Sequence, residues 1–336
     1  MSAGEVTCMQ CGATVVPADR FCESCGTLLS AVRRVEIPRV ALAASPVCSD
    51  CGNGTYVDQY CSVCGQRRAE PDRDQAELDG IVLVTDRGLE HPRNEDAAAA
   101  GVVTCEAGDA IAVAVCDGVS ASSAAETAAR SASAAGVDAM LDALAASGNS
   151  HSAALAGLVG AAKAAADAGA DPRRMEIAPS CTYAAVAVVP TSTGEVDVAV
   201  GNVGDSRVYW LPESPGVARC LTVDDSVAQE LISAGVAADS VAVQAGEHTL
   251  TRWLGADAEA TPWSASGTPF MTVTEPGVLL LCTDGLWNYL PEADDIAKTC
   301  SGLDAAAAAS ALVDYALAAG GQDNVTVAVI PIRGPL

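Results

Sequence analysis

The sequence predicts a mixed α and β domain over residues 80–332, preceded by two small metal-binding blocks. Three observations lead to this α+β class. Paired cysteines recur near the start of the chain, short Val-, Leu- and Ile-rich runs alternate with longer Ala-rich segments after Gly80, and aspartates stand beside several of these runs. Short apolar runs are typical of buried strands, and the longer segments are typical of helices.

The composition excludes several partners. The net charge is −25, so the surface repels nucleic-acid phosphates and anionic membranes. The sequence has no apolar stretch of about 18 residues that could span a bilayer. Its start also lacks the basic and then apolar pattern of a signal peptide. We therefore expect a cytoplasmic protein with no nucleic-acid or membrane partner.

Eight cysteines near the start form four CxxC pairs, and a glycine follows each pair. In a reducing compartment such pairs indicate metal ligands before disulfides. Four thiolates match tetrahedral Zn²⁺, so the pattern predicts two structural zinc sites, with redox dithiols or an iron–sulfur cluster as the competing interpretations. The predicted ligands are Cys8, Cys11, Cys22 and Cys25 in the first site and Cys48, Cys51, Cys61 and Cys64 in the second.

These pairs divide the start of the chain into a first zinc ribbon at residues 1–29 and a second at residues 48–68. Residues 30–47 and 69–79 contain proline and charge without apolar periodicity, which predicts linkers. Residues 1–68 hold six Lys/Arg and six Asp/Glu, so the ribbons have no basic excess for nucleic acid. Recruitment of protein partners or domain docking is the expected role.

Beyond the second linker, the apolar runs predict strands and the Ala-rich segments predict helices. The predicted strands are Ile81–Thr85, Ile111–Cys116, Ala184–Val189, Val196–Val200, Val208–Leu211, Val278–Cys282 and Val325–Ile330. The predicted helices are Ser122–Ala146, Ser152–Ala168, Ser226–Ala234 and Leu303–Ala319.

Aspartates stand at the ends of four predicted strands, namely Asp117, Asp205, Asp284 and Asp323. Strands packed side by side bring their ends to one rim, where these carboxylates would repel each other unless a cation compensates. Oxygen ligands favour Mg²⁺ or Mn²⁺. Any one of these aspartates could equally belong to a turn or a helix cap. The shared context of all four favours a metal site.

The same aspartates belong to an ordered set of motifs that resembles the metal-dependent Ser/Thr protein phosphatases of the type 2C class (PPM family). The resemblance covers about residues 80–332 and implies a four-layer α-β-β-α sandwich. The motifs are Thr85-Asp-Arg-Gly-Leu-Glu-His-Pro-Arg-Asn-Glu-Asp96, Asp117-Gly118, Gly204-Asp-Ser-Arg207, Leu221-Thr-Val-Asp-Asp-Ser226, Leu250-Thr-Arg-Trp-Leu-Gly255, Thr283-Asp-Gly-Leu286 and Gly321-Gln-Asp-Asn-Val-Thr326.

The resemblance also implies a binuclear Mn²⁺/Mg²⁺ centre, with a third, weaker metal, that hydrolyses phosphoserine and phosphothreonine in proteins. A metal-bridging water would attack phosphorus without a covalent intermediate. By this analogy Asp117 bridges the two metals and Gly118 lends its carbonyl. Asp284 and Asp323 hold one of them, Asp96 with Glu95 binds a metal or its waters, and Asp205 with Asp284 serves the third.

The sequence departs from the family at His91, where an arginine commonly grips the substrate phosphate. Either Arg93, two residues on, takes over that contact, or phosphate is held less tightly; His91 could also contact phosphate or donate a proton. Val119 and Ser120 replace a common Gly-Gly-His, and Asp225 stands where histidine is frequent. These departures motivate a rival hypothesis, a catalytically weak phosphatase fold that serves as a scaffold or signalling module.

Overall fold

The computed structural model describes residues 6–7, 11–15, 22–26, 32–38, 47–48, 51–57, 60–65, 72–105, 108–122, 124–169, 178–213, 216–264 and 267–333. Cys8 lies outside the described residues, and so do parts of both ribbons and of both predicted linkers. No helix among the described residues is long and apolar enough to cross a membrane.

The described strands form two six-stranded antiparallel sheets and three small pairs. Sheet 1 has the order β16-β12-β11-β9-β8-β3 and sheet 2 the order β14-β13-β17-β18-β7-β6. The strands are β1 (Val6–Thr7), β2 (Thr14–Val15), β3 (Val32–Ile37), β4 (Tyr56–Val57), β5 (Tyr60–Cys61), β6 (Arg73–Leu78), β7 (Ile81–Asp86), β8 (Ala97–Cys105), β9 (Gly108–Cys116), β10 (Ser180–Cys181), β11 (Tyr183–Pro190), β12 (Val196–Val203), β13 (Arg207–Pro212), β14 (Arg219–Cys220), β15 (Leu254–Gly255), β16 (Phe270–Val273), β17 (Gly277–Cys282) and β18 (Val325–Ile332).

Helices cover the outer faces of both sheets. Asn149, Ser226, Ser240 and Asp304 cap four of them through side-chain oxygens that accept a hydrogen bond from the first turn. The helices are α1 (Ala125–Ser147), α2 (Ser150–Ala168), α3 (Val227–Ser233), α4 (Val241–Gly246), α5 (Asp284–Trp287), α6 (Ala293–Cys300) and α7 (Ala305–Ala319).

Three apolar clusters separate four layers. One lies between helices α1 and α2 and sheet 1, the second between the two sheets, and the third between sheet 2 and helices α5 to α7. Alanine dominates the contact of α1 and α2 with sheet 1, because small side chains let helix and sheet approach closely. The four-layer α-β-β-α sandwich is therefore confirmed.

Every strand and helix predicted from the sequence is present, with shifts of a few residues at the ends. The central strands are fully buried, as in β7 and β11, so they appear in the sequence as continuous apolar runs. The Ala- and Gly-rich strand β8 was not predicted.

The two predicted linkers need correction, because each contains a strand of the sandwich. β3 pairs along its whole length with β8 at the edge of sheet 1, and β6 pairs with β7 at the edge of sheet 2. Both strands carry several charged residues and are only partly buried, as expected at the edge of a sheet. Ile37 and Ala76 enter the core between the sheets. The second ribbon is therefore inserted between two strands of the sandwich.

Candidate active site

Asp117 begins the loop after β9, at one end of the sandwich. Its backbone is fixed to Thr182, since the Asp117 amide donates to Thr182 Oγ1 (2.9 Å) and the Thr182 amide donates to the Asp117 carbonyl (2.8 Å). A Cβ on Gly118 would lie 2.6 Å from the Glu95 carbonyl. Glycine is required there because another segment passes close to its backbone. The Asp-Gly pair therefore marks a close chain crossing.

Asp284 and Asp323 approach the same point from sheet 2. A Cβ on Gly285 would lie 2.0 Å from the Asn324 carbonyl, so the two motifs are packed backbone to backbone. Asn324 ties this region to the first motif, because its Oδ1 accepts from the Glu95 amide (2.7 Å) and its Nδ2 donates to the Arg93 carbonyl (3.0 Å). The carboxylates are thus held by rigid backbone contacts.

Asp96 lies beneath these residues and is almost fully buried. Its Oδ2 accepts hydrogen bonds from Thr326 Oγ1 (2.7 Å) and Thr283 Oγ1 (2.9 Å). Its Oδ1 has no hydrogen-bond partner among the described residues, and the same holds for Asp284 Oδ1. Two buried carboxylate oxygens are left without a donor, which is costly for the protein alone.

Asp205 precedes β13 and is held by the residues around it. Its carbonyl accepts from Trp287 Nε1 (2.9 Å), and the guanidinium of Arg207 lies 3.8 Å from the centre of a Trp287 ring. Arg207 also forms a two-pronged ion pair with Asp224, with contacts of 2.7 to 3.2 Å. Trp287 therefore joins the Gly-Asp-Ser-Arg motif to the helix that Asp284 begins.

Burial and mutual repulsion perturb this carboxylate cluster. Burial raises the pKa of Asp96 to about 8, and the hydrogen bonds from Thr326 and Thr283 offset only part of the shift. Burial, followed by the charges of the neighbouring aspartates, raises the pKa of Asp117 and of Asp205 well above the usual range, and raises that of Asp284 as well. Anionic carboxylates crowded in this way are stable when a cation lies among them.

The residues present fit divalent metal ions. The donor set consists of carboxylate and carbonyl oxygens, which Mg²⁺ and Mn²⁺ prefer. A cleft of ≈ 530 Å³ opens onto the cluster, so ions and a substrate can enter. Of the predicted metal-site residues, the cleft is lined by Asp117, Gly118, Asp205, Asp284 and Asp323. Glu95 and Asp96 lie behind or beside this lining.

The first motif places its two candidate phosphate-binding residues differently. His91 Nε2 lies 3.3 Å from Asp323 Oδ1. Arg93 contacts other carboxylates, because its guanidinium lies 3.5 Å from Glu95 Oε1 and 4.0 Å from Glu126 Oε1. Glu95 therefore contacts Arg93 in this structure.

Sequence analysis assigned no role to several residues that surround the cleft. His248, which follows α4, stacks on Trp287 with ring centroids 6.3 Å apart, and its Nδ1 lies 3.9 Å from Asp284 Oδ2. Glu247 lines the cleft beside it. Neither has a local sequence signal, because a turn after a short helix is read as surface. Asp225 has a supporting role, since it accepts from the Gly204 amide and from Arg252.

The cysteines form two compact groups. Sulfur atoms of Cys48, Cys51, Cys61 and Cys64 lie within 4.8 Å of one another, and so do those of the three described cysteines of the first ribbon, Cys11, Cys22 and Cys25. Amide groups of Cys64 and Val63 donate to Cys61 Sγ, each at 3.4 Å, and lower the pKa of that thiol. Both groups fit tetrahedral zinc.

The fold of this chain is similar to solved structures of PPM-class Ser/Thr phosphatases. The PPM phosphatase MsPP from Mycobacterium smegmatis, crystallised with cacodylate, is 25% identical with a TM-score of 0.53, over 77% of this chain and 100% of that one. The catalytic domain of PstP with two manganese ions is 26% identical with a TM-score of 0.53, over 74% and 96%.

Sequence comparisons agree with this class. Residues 8–66 match the double zinc ribbon family. The serine/threonine phosphatase stp of Listeria innocua is 33% identical over 146 residues, which are 43% of this chain and 55% of that protein. The chain thus spans about half the length of the curated relatives it matches. It resembles PPM phosphatases and carries in addition a double zinc ribbon at its N-terminus.

Proposed function

We propose that this protein hydrolyses phosphoserine and phosphothreonine in other proteins with the help of Mn²⁺ or Mg²⁺. The observation that carries the proposal is the cluster of buried aspartates at the floor of an open cleft, with raised pKa values and two orphaned oxygens. A purely structural cluster of like charges would be costly to bury. A site for divalent ions explains its retention.

Asp117, Gly118, Asp284 and Asp323 would hold two divalent ions, with Asp96 and Glu95 behind them and Asp205 serving a third. When bound, such ions supply an activated water at neutral pH and neutralise charge on the phosphoryl group. The chain itself supplies orientation. Thr182 fixes the Asp117 backbone, and Thr283 with Thr326 holds the Asp96 carboxylate, so both residues are positioned toward the shared centre.

The substrate class follows from the relatives, which are described as Ser/Thr phosphatases. We expect phosphorylated proteins, products of a Ser/Thr kinase, as partners. Nucleic acid is a poor candidate because the cleft is lined by carboxylates. The cysteine pairs suit a reducing compartment, which favours the cytoplasm.

The scaffold hypothesis predicts a different behaviour. A phosphatase fold that only binds partners would keep its shape and lose its metal ligands. The cluster of Asp96, Asp117, Asp205 and Asp284 around one cleft favours the enzyme instead.

The second ribbon has a more definite role than the first. Because β3 and β6 flank it, zinc at this ribbon would shorten the connection between the edges of the two sheets. Domain docking therefore suits the second ribbon. The first ribbon precedes β3 in the chain and does not join two strands of the described sandwich, so recruitment of a partner suits it better. Full zinc sites in both are part of this proposal.

The substitution Asp284→Asn tests the proposed function. It removes one charge from the cluster, and we expect hydrolysis of a phosphothreonine peptide with Mn²⁺ to fall about 100-fold or more. Asp138→Asn is the matched control, because Asp138 lies on α1 and pairs with Arg34 on β3, away from the carboxylate cluster. Equal activity of Asp284→Asn and the parent protein would show that the assigned centre is wrong.

A further inference from the structure

A cationic side chain near the metal ions would strengthen phosphate binding, because its hydrogen bonds to phosphate oxygens are charge-assisted. The sequence leaves two candidates open, His91 and Arg93. Their surroundings differ in the structure, and the difference separates the two roles. The inference below rests on the proposed function and concerns the same cleft.

Other arginines near the cleft are engaged in short ion pairs. Arg207 binds Asp224 at 2.7 Å, and Arg252 binds Asp225 at 2.9 Å. Arg87 contacts Asp72 at 2.8 Å and also donates to the His91 carbonyl. Short pairs of this kind fix the guanidinium in place and use its donors. These three arginines therefore connect loops, and their donors are already used in ion pairs.

His91 is turned toward a candidate metal ligand. Its Nε2 lies 3.3 Å from Asp323 Oδ1, and its backbone carbonyl is held by Arg87. An imidazole has two ring nitrogens, so the contact of Nε2 with Asp323 leaves only Nδ1 for a phosphate, whereas a guanidinium has five N–H donors. The geometry suits a residue that orients Asp323, in the way that outer residues orient metal ligands.

Arg93 is more exposed than His91, and its contacts with carboxylates are longer. Its side chain is 52% exposed, and its two carboxylate contacts are long, at 3.5 Å to Glu95 and 4.0 Å to Glu126. Its backbone is tied to Asn324, the neighbour of Asp323. A guanidinium has five N–H donors in a planar fork that matches phosphate, and loose contacts leave donors for a ligand. Arg93 therefore lies next to Glu95, whose carbonyl packs on Gly118 of the cleft, and only long contacts hold its guanidinium.

Glu126 is a side-chain contact of the Arg93 guanidinium that comes from outside the first motif. It lies in the first turn of α1, and its side chain is mostly buried. This helix start packs on the candidate centre, because a Cβ on Gly118 would lie 2.9 Å from the Ala125 Cβ. The position of the Arg93 guanidinium therefore depends, through Glu126, on the packing of α1 against Gly118.

We infer that Arg93 grips the substrate phosphate, that Glu126 is its positioning residue, and that His91 orients Asp323. The cationic contact would thus come from Arg93, two residues after the position that His91 occupies, and Glu126 on α1 would orient it.

The test compares variants of the full chain by kinetics on a phosphothreonine peptide and by inhibition with inorganic phosphate. Arg93→Ala should raise KM and the phosphate inhibition constant about ten- to hundredfold.

Glu126→Gln should raise both constants about two- to fivefold with kcat nearly unchanged, as expected for a long, partly exposed pair. When Glu126→Gln is combined with Arg93→Ala, KM and the phosphate inhibition constant should not rise further. Asp138→Asn, farther along α1, should change neither constant.

His91→Ala should act on the metal instead. Direct titration with Mn²⁺ in the absence of substrate should show weaker binding, and the phosphate inhibition constant should change less than in Arg93→Ala. If Glu126→Gln fails to fold, Arg93→Lys replaces it, because losing the fork while keeping the charge should raise KM. A larger phosphate effect in His91→Ala or His248→Ala than in Arg93→Ala would overturn the inference. An inactive parent protein would instead count against the proposed function.

Discussion

The two metal-binding regions of this molecule are built in opposite ways. The cysteines of the second ribbon all lie between Cys48 and Cys64, whereas the candidate carboxylate centre gathers residues from Asp96 to Asp323. A local site can form its own small fold around a metal. A dispersed site exists only after the sandwich has folded. Loss of metal should therefore affect folding at the ribbons and chemistry at the carboxylates.

The strongest test of this contrast uses paired cysteine variants. Cys48→Ser with Cys51→Ser should remove one zinc per chain and lower the Tm of the sandwich, because the connection from β3 to β6 loses its compact centre. Halving a loop is worth about 0.6 kcal/mol, or roughly 2 °C for a domain of this size. Amide exchange in β3 should also speed up severalfold.

The matched control is Cys22→Ser with Cys25→Ser in the first ribbon. It should also remove one zinc per chain and leave the Tm of the sandwich unchanged, since this ribbon closes no loop of the domain. Equal Tm values in both pairs, with zinc loss shown by metal analysis, would contradict the insertion account.

The substitution Thr182→Val tests the carboxylate centre, the second of the two regions. The change removes a hydroxyl that accepts from the Asp117 amide and contacts Ser206 at 2.7 Å. Activity with Mn²⁺ should fall about tenfold, because outer residues that orient metal ligands contribute on this scale. The zinc content should not change. A variant that loses zinc and keeps its activity would show that the two regions are not independent.

A last prediction concerns pH. The pKa of Asp96 is raised from 3.8 to about 8, so without Mn²⁺ or Mg²⁺ the folded protein binds a proton that the unfolded chain releases. Stability in buffer free of these ions should therefore rise as pH falls from above 8 toward 5. Thermal melts at pH 6 and pH 8 measure the difference. A higher Tm at pH 8 than at pH 6 would contradict the raised pKa of Asp96. Added Mn²⁺ should reduce the dependence of Tm on pH.

Much of the fold could be predicted because burial leaves a clear pattern. Strands such as β7 and β17 are covered on both faces, so Val and Leu follow each other without interruption. Edge strands β3 and β6 are half exposed, and their charged residues resemble a linker. Strand β8 consists largely of Ala and Gly, which have low strand propensity. The sandwich arrangement came from the resemblance, since periodicity does not give layer order.

The candidate site was predictable to the extent that strand ends mark it. Asp117, Asp205, Asp284 and Asp323 stand where apolar runs begin or end, and the structure brings them to one cleft. Glu126 and His248 were missed because each is an ordinary polar residue on a helix or turn. The packing of α1 on Gly118 places Glu126 near the candidate centre, and the stacking on Trp287 holds His248 at the cleft.

Hydrolysis of a phosphothreonine peptide by the purified full-length chain tests the central claim most directly. The account predicts activity that appears with Mn²⁺, disappears after chelation and returns when Mn²⁺ is added back. A folded protein that binds Mn²⁺ and releases no phosphate from any phosphopeptide would contradict it and favour the scaffold.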